Sequence, residues 1–83
     1  MDLTPWLLLD TETAGFKAPI FVVELAAQRM RGWEPEGPPF HRLLNHGVAI
    51  PPAAARVNGF TREILERDGE PPREVYTAYT ALS

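Results

Sequence analysis

The segment Trp6-Leu7-Leu8-Leu9-Asp10-Thr11-Glu12-Thr13 decides how this sequence is interpreted. Its apolar run shows no alternation, which predicts a central β-strand covered on both faces. The strand leads into Asp10 and Glu12, whose side chains share one face because strand side chains alternate. Two adjacent carboxylates repel each other and lose hydration, a cost that a bound divalent cation offsets. Two acids that are merely solvated at a strand end are the alternative, and this segment alone does not separate the two.

Around this segment, the sequence predicts three strands followed by two helices. Residues Ile20 to Val23 favour a pleated, buried surface and predict the second strand. The Gly- and Pro-rich stretch 31–39 predicts a loop between neighbouring strands, so a β-meander is the simplest topology. The predicted strands cover about 6–12, 20–30 and 39–45, and the predicted helices cover about 61–68 and 71–82.

The second half of the chain carries helix start and stop signals. Thr61 is predicted as a helix N-cap, and Gly69 is predicted to end that helix. Pro71 and Pro72 are predicted to open the last helix. Residues 46–55 contain one Gly and two Pro, which predicts an extended connection without helix.

The length and composition describe one small domain without a disulfide cross-link. The chain has 83 residues, no Cys and a net charge of −3, so disulfides and a general basic nucleic-acid surface are excluded. It has no apolar run of membrane-spanning length and no basic leader at Met1, which predicts a soluble, cytoplasmic protein with no membrane partner. The last helix runs to Ser83 without a cap, so we expect a chain that is cut short relative to a complete fold; a natural mini-domain is the alternative.

Five segments in order resemble the DnaQ-like, DEDD-type 3′→5′ exonucleases. The resemblance runs from about Leu7 to Leu82 and is carried by residues 8–15, 22–27, 40–45, 50–61 and 71–75. It implies an α/β fold of the ribonuclease H-like kind, in partial form. The part present would be a three-stranded antiparallel β-meander followed by two helices, forming a single partial exonuclease domain over residues 1–83.

The resemblance also implies roles for particular residues. Asp10 and Glu12 would be catalytic residues and ligands of Mg²⁺ or Mn²⁺. Glu24 would form a hydrogen bond to a side chain that binds the metal ion and would orient that side chain. The residues that would contact the terminal nucleotide are Thr11, Thr13, Gly15, Val57 and Asn58.

The chain departs from the family pattern in its catalytic groups. Two further Asp residues and a general base, His or Tyr, have no counterpart here, because Asp68, His41 and His46 lie in the wrong segments. Asn58 stands where the family usually has His. The complete family site holds two metal ions, so we expect at most one weakly held ion here and little or no nuclease activity.

Three functions are predicted from these observations. The first is hydrolysis of phosphodiesters from a DNA or RNA 3′ end, with the rest of an exonuclease domain or a polymerase as possible partners. The second is a non-catalytic interaction module or exonuclease remnant, which self-associates through an exposed sheet edge or an apolar helix face. The third is another metal phosphohydrolase, which acts on small phosphate esters.

Overall fold

The sheet is built around one long central strand. A computed structural model describes residues 2–14 and 20–82. Its strands are β1 (Pro5–Ala14), β2 (Phe21–Arg31), β3 (Glu34–Pro35) and β4 (Phe40–Leu43). Each of the other three strands pairs antiparallel with β2. The predicted antiparallel meander is therefore confirmed, with a two-residue strand inside the stretch that the sequence predicted as a loop.

The β1–β2 register fixes which side chains share a face. Pairing is regular from Pro5 opposite Arg31 to Glu12 opposite Glu24, and it shifts by one residue between Glu12 and Thr13. Such a shift marks a β-bulge, which bends a strand and redirects its side chains. Asp10 and Glu12 lie just before the bulge, in the regular part of β1.

Three short helices follow the sheet. They are α1 (Pro52–Asn58), α2 (Arg62–Asp68) and α3 (Pro72–Thr80). The Thr61 hydroxyl accepts a hydrogen bond from the Ile64 N–H at 3.2 Å, as the predicted N-cap requires. The Gly69 N–H donates to the Leu65 carbonyl oxygen at 2.8 Å and ends α2, again as predicted.

Helix α1 contradicts the prediction of an extended connection over 46–55. Its first residue is Pro52, and a proline is tolerated there because the first N–H of a helix has no intrahelical acceptor. Three alanines follow and favour the helix. Gly59 ends it with a positive φ of 77°, and its N–H donates to Ala55 at 2.8 Å. The two prolines thus mark a helix start that was interpreted as a break.

The hydrophobic core lies on the face of the sheet that the helices cover. One cluster joins β2 and β4 to α3, and a second joins the ends of β1 and β2 to α2. Their buried members are Leu25, Ala27, Phe40, Leu44 and Val75 in the first cluster, and Ala14, Val23 and Leu65 in the second. Within the described residues, no helix is long and apolar enough to cross a membrane.

The prediction that β1 is covered on both faces is wrong. In the described part of the chain, β1 pairs with β2 alone and is an edge strand. Leu8 is 53% exposed and Leu9 is 48% exposed, although they lie on opposite faces of the strand. The uninterrupted apolar run therefore belongs to a strand that is only partly covered: Leu7 packs against the first core cluster, whereas Leu8 and Leu9 stay about half exposed.

Candidate metal and nucleotide site

Asp10 and Glu12 are two exposed carboxylates on one face of β1. They are two residues apart in a regular stretch of strand, so both side chains project to the same side. Neither makes a hydrogen bond or an ion pair with any residue in 2–14 or 20–82. Their oxygens are therefore not neutralised by a basic side chain, and they are open to a cation from solvent.

Glu24 lies directly opposite Glu12 on β2, so three carboxylates share this face. The Glu24 side chain is half-buried, and its Oε2 accepts a hydrogen bond from the Nε2–H of His41 at 2.6 Å. The described partner of Glu24 is thus His41 and neither Asp10 nor Glu12, so the support of a metal ligand by Glu24 stays a prediction. No local sequence pattern predicts His41 on this face, because the pairing of β2 with β4 sets its position.

The donor set suits one hard divalent ion that keeps most of its water. Mg²⁺ and Mn²⁺ bind through one or two carboxylates with several water ligands. No cluster of three or more His, Asp or Glu side chains positioned for a metal occurs in the described ranges. The residues present therefore fit a single ion held by Asp10 and Glu12, and they do not supply the ligands for two.

A shallow hollow of about 210 Å³ lies beside Asp10 on the same face. Ala26 lies in the row between Asp10 and His41, and its small side chain leaves this space open. The side chains or backbone that surround it are Leu8, Asp10, Ala26, Ala27, Gln28, Pro39, Phe40 and His41. The acidic pair is thus bordered by a mainly apolar depression.

Two of the residues predicted to contact a nucleotide, Thr13 and Asn58, are in contact near the end of β1. The Asn58 amide donates to the Thr13 carbonyl oxygen at 2.9 Å, which fixes the end of α1 against β1. The Asn58 Oδ1 also accepts from the Phe60 N–H at 2.9 Å, so this side chain has a structural role. Val57 is 76% exposed, and Thr11 is exposed as well. Gly15 lies outside the described residues.

The other titratable groups that a sequence search would consider are occupied elsewhere. His46 donates from Nε2 to the Val22 carbonyl oxygen at 2.6 Å, and its ring packs against Phe21. Asp68 accepts from the neighbouring Arg67 guanidinium, and this hydrogen bond holds the pKa of Asp68 below its usual range. Both groups serve local structure and do not join the face that carries Asp10.

Comparison with known proteins supports the fold and leaves the chemistry open. No protein-family model and no curated protein matches the sequence. One similar solved structure is a crystal structure of "SSB/Exonuclease I in complex with inhibitor CFAM", with a TM-score of 0.85 and 21% sequence identity. The match covers 98% of this chain and 19% of that chain, so this chain spans about a fifth of the solved structure.

This similarity confirms the predicted fold class. The chain shares the architecture of the matched part of that structure, an antiparallel sheet followed by helices. An identity of 21% establishes shared architecture and does not assign any residue a role. Asp10 and Glu12 as metal ligands, and the nucleotide contacts, stay predictions.

Proposed function

We propose that this chain carries one half of the active site of a metal-dependent 3′→5′ exonuclease. One observation supports this above all others: two free carboxylates lie side by side on an exonuclease-like fold. Buried or paired acids would have served stability, whereas Asp10 and Glu12 repel each other and the nearby Glu24, and neither of the two has a basic partner among the described residues. A site with such an acid pair is suited to a cation.

Asp10 and Glu12 would hold one Mg²⁺ or Mn²⁺ ion, and the ion would contact the phosphodiester at the 3′ end of DNA or RNA. Bound metal supplies charge neutralisation at the phosphate and lowers the pKa of a bound water. The chain's own residues would orient the end of the strand, with Thr11, Thr13, Gly15 and Val57 near the terminal nucleotide. Asn58 would act indirectly, by holding α1 against Thr13.

Turnover needs groups that residues 2–14 and 20–82 do not bring to the site. A second metal ligand set and a proton acceptor are needed to position and activate the attacking water. We therefore expect binding of a 3′ end to be strong enough to measure, and hydrolysis by this chain to be slow or absent. The rest of an exonuclease domain, or a polymerase that presents the 3′ end, would be its partner.

Binding of a labelled oligonucleotide with and without Mn²⁺ tests this function independently of turnover. We expect Mn²⁺ to tighten binding of a strand with a free 3′-hydroxyl, and we expect Asp10→Asn and Glu12→Gln to remove that gain. Asp68→Asn is the matched control, because Asp68 is an exposed carboxylate paired with Arg67 outside this face. Equal Mn²⁺ dependence in all four proteins would refute the assignment. A small phosphate ester in parallel tests for the more general phosphohydrolase.

The open edge of β1 supports a second candidate, a non-catalytic interaction module. An exposed edge strand with apolar side chains offers unpaired backbone groups to another chain. β1 is ten residues long, and Leu8 and Leu9 are about half exposed. This candidate predicts a dimer that depends on protein concentration, weakens on Leu9→Lys and ignores Mn²⁺. Sedimentation velocity at several concentrations distinguishes it from the exonuclease.

A further inference from the structure

The turn between β2 and β3 presents an aromatic side chain to solvent in a fixed position. Trp33 is 83% exposed, more than any other large hydrophobic residue in the described chain. The preceding Gly32 has φ +57°, and its N–H donates to the Thr4 carbonyl oxygen at 2.9 Å. A Cβ at this glycine would collide with the Asp2 backbone oxygen. The turn therefore rests closely on the N-terminal segment, which holds Trp33 in place.

Trp6 supports this side chain from β1. The two indole rings pack edge to face, with centroids 5.8 Å apart and an angle of 77° between the ring planes. The Trp6 Nε1–H donates to the Gly32 carbonyl oxygen at 2.6 Å, so the polar atom of the ring is satisfied within the turn. The pair is thus rigid, and most of the Trp33 surface is free. We call Trp6 and Trp33 the tryptophan platform.

The tryptophan platform is in line with the acidic pair. Trp6, Leu8 and Asp10 occupy successive positions on one face of β1, in the stretch before the bulge. The four residue steps along the strand from Trp6 to Asp10 span about 13 Å. This distance equals about four stacked nucleotides, at roughly 3.4 Å each, and fewer when a strand is extended. The hollow lined by Leu8, Ala26 and Gln28 begins at Asp10 on the same face.

The positive charge of Arg29 does not face this path. Arg29 pairs with Leu7 in the β1–β2 register, so its side chain lies on the face opposite to Trp6 and Asp10, where it lines a cavity of about 370 Å³ with Leu7, Glu36 and Leu82. The acidic end of the path needs a metal ion before it can accept a phosphate, whereas the platform end offers a flat aromatic surface. A ligand that carries a flat ring about 13 Å from a terminal phosphate matches both ends.

We propose that the tryptophan platform stacks a base of a single nucleic-acid strand whose 3′ end lies at Asp10 and Glu12. This inference rests on the proposed function and adds a second contact with the nucleic-acid strand, several nucleotides from its 3′ end. Trp33 provides the stacking surface, and Trp6 orients it. Stacking tolerates any base, so the platform sets the minimum length of the strand and not its sequence.

The chain contains two tryptophans, Trp6 and Trp33, so its intrinsic fluorescence reports on this platform directly. We expect deoxythymidine oligonucleotides in Mg²⁺ to quench the emission. Affinity should rise with length until the strand reaches Trp33 and then level off. Trp33→Ala should weaken binding by about 5- to 150-fold, as expected for the loss of one stacked base. Trp33→Phe, which keeps a ring at the turn, should retain most of the affinity.

Tyr76→Ala is the matched control, because Tyr76 is an exposed aromatic residue on α3. It should bind as the parent does. Equal affinity of the parent and Trp33→Ala, measured by anisotropy of a labelled strand, would overturn the platform. So would emission that changes with protein concentration alone, which would show that a second copy covers Trp33. If binding depends on Trp33 but is unchanged by Asp10→Asn, the stacking site stands and the exonuclease site is refuted. The failure of one proposal can therefore be distinguished from the failure of the other.

Discussion

The two faces of β2 have opposite environments although they belong to one strand. Val23, Leu25 and Ala27 point into the core beneath the helices. Glu24 and Ala26 alternate with them and lie on the side that carries Asp10, Glu12 and His41. One face therefore stabilises the fold, and the other is left to polar chemistry. Substitutions on the two faces should separate stability from binding.

The largest expected difference between the faces is in the free energy of unfolding. Leu44 is fully buried in the core cluster, whereas Leu8 is about half exposed on the acidic side. Leu44→Ala should destabilise the fold by roughly 2–5 kcal/mol through lost burial and a cavity. Leu8→Ala should cost less than about 1 kcal/mol, because half of its surface is already in water.

Urea denaturation of both variants measures this difference. A loss of several kcal/mol for Leu8→Ala, with the protein monomeric, would show that its face is covered in solution. That result would restore the interpretation of β1 as a central strand.

A smaller effect is expected where the helical layer is tied to the end of β1. Asn58→Ala removes two hydrogen bonds, one to Thr13 and one from the Phe60 N–H. At roughly 0.5–1.5 kcal/mol for each bond, the loss should be about 1–3 kcal/mol. Asn58→Asp keeps the acceptor for Phe60 and loses the donor to Thr13, so its cost should fall between those of the parent and Asn58→Ala. Identical unfolding midpoints for all three proteins would mean that this tie is not formed.

The smallest effect is expected to have the opposite sign. Glu12 lies directly opposite Glu24, and like charges in cross-strand pairs destabilise a sheet. Glu12→Gln should therefore stabilise the fold by roughly 0.2–1 kcal/mol at neutral pH and low salt. Glu24→Gln relieves the same repulsion but weakens the bond to His41, so it should gain less. Thermal unfolding measured at low and high salt checks the sign, since screening should remove the gain. A loss of stability for Glu12→Gln would point to a favourable contact of this carboxylate.

Strand-favouring residues and cap residues were sufficient to predict most of the backbone. The residues Ile20 to Val23 predict β2, and Thr61 and Gly69 delimit α2 because their backbone roles are local. The apolar run predicts a covered strand at Leu8 and Leu9. Such a run shows that these side chains can be buried, but it does not show that another element covers them. Pro52 was interpreted as a break because a proline at a helix start and a proline in a loop look alike in sequence.

The side-chain partners depend on pairing that no local pattern contains. Asp10 and Glu12 could be placed on one face from alternation alone. The bond between Glu24 and His41 requires the register of β2 with β4, and the Trp6–Trp33 contact requires the short β2–β3 turn. Glycine and tryptophan at this turn were visible in the sequence, but a stretch with two glycines and three prolines gave no reason to expect a fixed aromatic platform.

The proposed exonuclease site requires that Asp10 and Glu12 together hold a divalent cation. Titration calorimetry with Mn²⁺, without nucleic acid, tests it most directly on the parent, Asp10→Asn, Glu12→Gln and Asp68→Asn. We predict one weak site in the parent and in Asp68→Asn, and no measurable site in the other two, while circular dichroism shows all four folded. Equal Mn²⁺ affinity in all four proteins would contradict the claim.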